Sequence, residues 1–189
     1  MGWKIDYQKL FEYLKKKYEV RTVFYFGGVE IHEFPYDYQE NETVPLKKLG
    51  EYLRRLPTED KEKKLNEAEL ALISRHLQRV KFYIRLEKFG YKLLLKPVKM
   101  YEQEDGTTKR KANCDVDMAF HLMKERGNFD RVVVLSGDGD FLPVLKYLRS
   151  EKKQVLLLGR GIRTAKEIKQ FAGNDFRDFE YLRERLKMK

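Results

Sequence analysis

Two hydrophobic rhythms alternate along this chain. Between Ile5 and Tyr18, the apolar residues Leu10, Phe11, Leu14 and Tyr18 recur at helical spacing, so the segment reads as an amphipathic helix. Val20 to Phe26 is β-branched and aromatic and is closed by Gly27-Gly28, the pattern of a buried strand. Glu30 to Thr43 is polar and aromatic around Pro35 and reads as a loop or excursion. Pro45 to Leu56 predicts a short helix stopped by Pro57. The longest helical signal runs from Glu59 to Lys88, with Leu70, Ile73, Leu77, Val80 and Ile84 stepping along one face. Arg75, Arg79 and Arg85 lie off that stripe and suit a solvated face or an RNA contact equally. Gly90 ends the helix, and Tyr91 to Leu95 follows as a strand reaching Lys96-Pro97. Gln103 to Ala112 is charged, with a turn signal at Asp105-Gly106.

The second half repeats the alternation. Asp115 to Lys124 reads as a helix with Val116, Ala119, Phe120 and Met123 on one face. Arg131 to Leu135 is a short, mostly apolar run, typical of a parallel strand covered on both sides. Ser136-Gly137-Asp138-Gly139-Asp140 turns into a helix from Phe141 to Arg149, and Gln154 to Leu158 is a second apolar strand. Helices are expected from Thr164 to Phe171 and from Phe179 to Leu186. Strands alternating with helices predict a layered α/β fold with a mostly parallel central sheet. A chain of 189 residues suits one domain over 1–189, with 31–60 as an excursion and 179–189 as a C-terminal helix.

Charge narrows the class of partner. Lys and Arg outnumber Asp and Glu by 40 to 30, and the net charge is +10. Such a balance favours polyanions, because binding releases phosphate counterions. Cys114 is the only cysteine, which excludes an intrachain disulfide and fits a reducing, cytoplasmic setting. Histidine is confined to His32, His76 and His121, so Cys and His cannot form the usual four-ligand zinc site. No stretch approaches the roughly 18 apolar residues of a membrane span, so no membrane partner is expected.

The candidate chemistry is acidic. In an open α/β sheet, ligands bind beyond the carboxyl ends of strands, and the Ser136–Asp140 turn lies just past such an end. Its two glycines are expected to let the chain bend tightly and bring Asp138 and Asp140 together. Two close carboxylates repel each other, and a hard cation such as Mg²⁺ or Mn²⁺ relieves this. The plainer reading is that Asp138 makes the turn and Asp140 caps the next helix. A D-x-D turn also occurs in dehalogenase-like phosphatases, Toprim domains and calcium loops. Lys111-Ala112-Asn113-Cys114-Asp115-Val116-Asp117 carries further acids to a helix start, where the helix dipole alone would favour them. Phosphate-holding candidates are Lys109, Arg110 and Lys111 before that helix, and Arg160, Arg163 and Lys166 after the Gln154–Leu158 strand.

These segments resemble the NYN (LabA-like) family of the PIN-like nucleases. The resemblance rests on Val133-Val134-Leu135-Ser136-Gly137-Asp138-Gly139-Asp140-Phe141-Leu142-Pro143 and on the segment from Lys111 to Asp117, with weaker similarity from about Trp3 to Arg177. It implies a doubly wound α/β sandwich, an acidic pocket for Mg²⁺ or Mn²⁺, and RNA as the substrate. Asp115, Asp138 and Asp140 would be the pocket acids, Asp117 an auxiliary acid, and Ser136 and Asn113 pocket support. Family chains usually open with a strand ending in Asp. Here Met1 to Tyr7 resembles the segment just after that strand, and His121 stands at an often acidic position. A metal-dependent ribonuclease is therefore expected, with a non-catalytic RNA-binding module lacking one acid as the alternative. A chain without the first strand is expected to be marginal, aggregated or paired as a homodimer.

Overall fold

A computed structural model describes residues 2–59 and 65–188. The helices and strands follow in the order α1 (Tyr7–Tyr18), β1 (Val23–Val29), α2 (Leu46–Glu59), α3 (Glu67–Phe89), β2 (Tyr91–Pro97), β3 (Lys99–Glu102), β4 (Thr108–Lys111) and α4 (Asp115–Lys124). Then come β5 (Arg131–Val134), α5 (Leu142–Ser150), β6 (Gln154–Gly159), α6 (Lys166–Ala172), β7 (Phe176–Asp178) and α7 (Arg183–Leu186). This is the expected α/β class. The chain divides into two compact units, Thr22–Cys114 and Met1–Arg21 with Asp115–Lys189. Among the described residues, no helix is long and apolar enough to cross a membrane.

In the Thr22–Cys114 unit, β1 and β2 pair in parallel from Val23 opposite Tyr91 to Val29 opposite Pro97. The strand runs through Gly27-Gly28 instead of ending before them. A Cβ at Gly28 would overlap that of Ala112 and lie 3.0 Å from Val98, so the glycine leaves room for the chain crossing the strand end. The Tyr83 hydroxyl donates to the Gly28 carbonyl at 2.8 Å, tying α3 to the same point. Leu46, Leu49 and Leu53 bury one face of α2. That helix continues past Pro57 to Glu59. In the last turn, proline removes one hydrogen bond, to the Leu53 carbonyl, without stopping the helix.

The long helix begins later than its apolar pattern predicts. Asn66 and Glu69 form a reciprocal capping box that starts α3 at Glu67. The expected start at Glu59 belongs instead to the end of α2, and residues 60–64 lie outside the described residues. The buried face is Ile73, Val80, Tyr83 and Leu86, while Leu70 is exposed. Gly90 closes the helix at φ 101°, a left-handed conformation that favours glycine. The charged segment after β2 is a hairpin: β3 and β4 pair antiparallel, and Gly106 takes φ 74° at the tip.

His32 and His76 meet at 2.5 Å between Nε2 and Nδ1, so one ring donates and the other accepts. Burial lowers the pKa of His76 to about 4, helped by the charges of His32, Arg110 and Arg75. Burial also lowers that of His32, against the pull of Glu30 and Glu33 and with the push of Arg110. The unfolded chain therefore binds more protons than the fold below about pH 6.5. Stability is full above that pH and falls as pH drops toward 4. Allowing for solvent screening, the loss is about 1–2 kcal/mol. We expect a melting temperature about 4 °C lower at pH 5 than at pH 7, from the usual scaling for this chain length. In His76→Gln most of that difference should vanish, and an unchanged pH dependence would dismiss the pair as its source.

In the other unit the sheet order is β5-β6-β7, all parallel. Central β6 is buried from Val155 to Gly159. Val155 and Leu157 pack with Val134, Phe141, Leu145, Leu148, Ile168 and Ala172. Asp6 caps α1 by accepting from the Gln8 and Lys9 amides. The N-terminal segment is fastened to the chain end by Asp6 N to Leu186 O at 2.7 Å and Met188 N to Lys4 O at 3.0 Å. Short strand β7 was not expected, and Phe179–Leu186 is a 3-10 turn followed by α7 instead of one helix. The α4 face is also rotated from its pattern. Met118, Ala119 and Leu122 pack on the core, whereas Val116 is 71% and Phe120 58% exposed.

Candidate functional site

The apolar strand β5 ends at Val134, and the next residues form a tightly held acidic turn. The Asp138 amide donates to Ser136 Oγ at 3.2 Å, and the Asp140 amide donates to Asp138 Oδ1 at 3.0 Å. Asp138 is thus the N-cap of the 3-10 turn Gly139–Phe141. Phe141 anchors the turn in the core, and Pro143 lies in the first turn of α5, where no amide hydrogen bond is needed. The capping role and a ligand role are compatible, because capping uses one carboxylate oxygen. Asp138 and Asp140 are both exposed at the carboxyl end of β5, and Ser136 is half-buried.

The two glycines also leave room for neighbouring groups. Neither Gly137 nor Gly139 is among the positive-φ residues. A Cβ would meet the backbone and side chain of Thr164 at Gly137, but only the end of a flexible side chain at Gly139. At Gly137 a Cβ would stand 2.7 Å from Thr164 Oγ1 and 2.9 Å from its Cα. At Gly139 it would overlap the carboxylate of Glu167, which therefore lies directly over the acidic turn. Glu167 occupies the first turn of α6 and is absent from the sequence-derived acids. Its signal was topological. A helix following the strand next to β5 starts at the same end of a parallel sheet, so an acid in its first turn faces the same crevice.

Asp115 opens α4 and is exposed, with half-buried Asp117 in the same first turn. The short Arg126–Asn128 turn reverses the chain between α4 and β5. The start of α4 therefore lies toward the carboxyl end of β5, and the helix packs beside α5. His121 Nδ1 donates to the Asp117 carbonyl at 2.9 Å. Among the described residues, no group of three or more His, Cys, Asp or Glu is placed to hold a metal ion. The donor set fits a hard cation in kind. Mg²⁺ takes one or two carboxylates and keeps several waters, and the exposed Asp138 and Asp140 offer carboxylates open to solvent.

The basic candidates divide between the units. Arg160, Arg163 and Lys166 come after β6 at the same sheet end as the acidic turn, with Arg160 half-buried and the other two exposed. Lys109, Arg110 and Lys111 are exposed on β4 in the Thr22–Cys114 unit. Arg110 is engaged there, its Nη1 3.6 Å from Glu30 Oε1. Asn113 belongs to that unit too, and its carbonyl accepts from Lys96 Nζ at 2.9 Å.

The NYN domain model matches residues 1–180. The "Low amplitude and bright protein LabA" of Synechococcus elongatus is 25% identical over 101 residues, covering 50% of this chain and 54% of that protein. The chain thus spans about half the length of the curated relative it matches. A crystal structure of a protein of unknown function from Vibrio parahaemolyticus superposes with a TM-score of 0.57 at 16% identity. That match covers 99% of this chain and 84% of the other, and it shows the fold. With nearly its whole length matched by the family model and an α/β architecture shared with a solved structure, the chain belongs to the NYN domain family, whose fold is PIN-like.

Proposed function

We propose that the chain is a metal-dependent ribonuclease that hydrolyses RNA phosphodiester bonds at the Ser136–Asp140 turn. The observation that carries this reading is the pair Asp138 and Asp140, held by their own backbone beyond the carboxyl end of β5, with Glu167 above them. Family membership supports it, because NYN domains are nucleic-acid related. Asp138 and Asp140 would hold Mg²⁺ or Mn²⁺, with Asp115 and Asp117 adding negative charge from the start of α4. A divalent ion bound there supplies charge neutralisation at a phosphoryl oxygen and a lowered pKa for a coordinated water. Arg160, Arg163 and Lys166 would steady flanking phosphates, and the Ser136 hydroxyl keeps the turn in shape.

A second reading has its own observation. Among the described residues, no three-donor metal cluster is formed. That favours an RNA-binding NYN module that does not cleave. One assay separates the two: incubation of the protein with labelled single-stranded RNA in Mn²⁺, in Mg²⁺ and in EDTA. Cleavage that needs the divalent ion is the expected result. Binding without cleavage in any buffer would establish the non-catalytic reading, and absence of both would remove RNA as the partner.

A further inference from the structure

The hairpin formed by β3 and β4 belongs to the Thr22–Cys114 unit, and its two faces differ sharply. In an antiparallel pair, directly opposed residues share a face and successive residues alternate. The register sets Lys99 opposite Lys111, Met100 opposite Arg110, Tyr101 opposite Lys109 and Glu102 opposite Thr108. One face therefore carries Lys99, Lys111, Tyr101 and Lys109, and the other carries Met100, Arg110, Glu102 and Thr108. Every residue of both strands is exposed, and Tyr101 is 52% exposed. Arg110, on the second face, is drawn to Glu30 of its own unit. The three lysines share the first face with one open aromatic ring.

The hairpin is well enough built to serve as a fixed platform. The Gln103 amide donates to the Thr107 carbonyl at 2.8 Å, and Asp105 Oδ1 accepts from the Thr107 amide and hydroxyl. At its base, Ala112 is seated against Gly28. The ladder and the turn fix the backbone positions from which the ring and the charges project, which lowers the ordering cost of binding.

We propose that the Lys99–Tyr101–Lys109–Lys111 face is a grip for single-stranded RNA, with Tyr101 stacking on a base and the three lysines neutralising phosphates on either side. An exposed ring flanked by cations is the combination that binds single strands without reading sequence. A duplex offers phosphates but keeps its base faces stacked and out of reach of Tyr101. The inference rests on the RNA reading above and adds to it the strandedness of the substrate and a surface outside the acidic turn.

The test uses fluorescence anisotropy with a labelled 12-nucleotide single-stranded RNA and its duplex, measured on the full chain at several salt concentrations. Wild type should bind the single strand at least about fivefold more tightly than the duplex, as base stacking predicts. Tyr101→Ala should weaken binding about tenfold, and Tyr101→Trp should restore it. Lys99→Gln, Lys109→Gln, Lys111→Gln should flatten the log–log salt slope by about 2, since each lost phosphate contact contributes about 0.7. Changing Lys15, Lys16 and Lys17 on α1 to Gln removes the same charge elsewhere and should leave the slope alone. If the hairpin variants bind like wild type, or the α1 variant loses as much slope, the grip is refuted while RNA binding stands. A duplex bound as tightly as the single strand also refutes it. If wild type binds neither RNA, the underlying RNA reading falls with it.

Discussion

Asp138→Asn, Asp140→Asn should lower the proposed Mn²⁺-dependent RNA cleavage by on the order of 100-fold or more while leaving the melting temperature nearly unchanged. The two halves of this expectation have separate causes. Asparagine keeps the oxygen that accepts the Asp140 amide at 3.0 Å, so the cap survives. Both side chains are exposed, so the amide meets no new packing demand. What disappears is negative charge. Stabilisation of a phosphoryl oxygen by a bound divalent ion amounts to several kcal/mol, and about 1.4 kcal/mol is tenfold in rate. Losing both carboxylates should remove about 3 kcal/mol of it at least. Isothermal titration with Mn²⁺ should show the matching loss of affinity. Glu167→Gln provides a graded comparison, since its carboxylate overlies the turn from α6. Full cleavage by the double variant would place the chemistry elsewhere. Equal Mn²⁺ affinity in both proteins would detach the ion from this turn.

What was legible in the sequence was local. The helical spacing of Leu10, Leu14 and Tyr18 is local, and these three residues are the buried face of α1. Tyr91 to Leu95 reads as a strand because Gly90 ends one element and aliphatic residues begin the next. The acidic turn stands out because its glycines, acids and proline are contiguous. Properties set by distant residues were hidden. Val116 and Phe120 satisfy helical periodicity as well as Met118 and Leu122 do, and only the core beneath decides which pair packs against it. Lys99–Glu102 and Thr108–Lys111 form strands with no buried face, so they carry no alternation to detect. Glu167 lies beyond an intervening helix and strand from Asp138, and a parallel crossover brings it back. The space that Gly137 leaves for Thr164 was hidden too, because Thr164 lies a helix and a strand further along the chain.

Gly137→Ala should therefore be far more damaging than a change of one methyl suggests. The added Cβ would lie 2.9 Å from the Thr164 Cα and 2.7 Å from its Oγ1. Thr164 cannot simply swing aside. It is 6% exposed, and its hydroxyl donates to the Arg160 carbonyl at 2.9 Å. The next amide, Ala165 N, donates to the Gly137 carbonyl itself at 2.9 Å. Thr164 Oγ1 would also stand 2.7 Å from a Cβ at Gly159, so the residue is wedged between two bare backbone positions. Relief requires the Arg160–Ala165 segment and the acidic turn to part, at a cost of about 2–3 kcal/mol, the upper range for overpacking a tight site. For a chain of this size that lowers the melting temperature by about 5–10 °C. Gly139→Ala is the informative partner. Its Cβ meets the end of the Glu167 side chain, which can rotate away, so the loss should stay below about 1 kcal/mol. Differential scanning fluorimetry on the two variants decides the matter. Equal melting temperatures for Gly137→Ala and wild type would mean that the turn does not pack against Thr164 as described, and the placement of Asp138 and Asp140 would need to be redrawn.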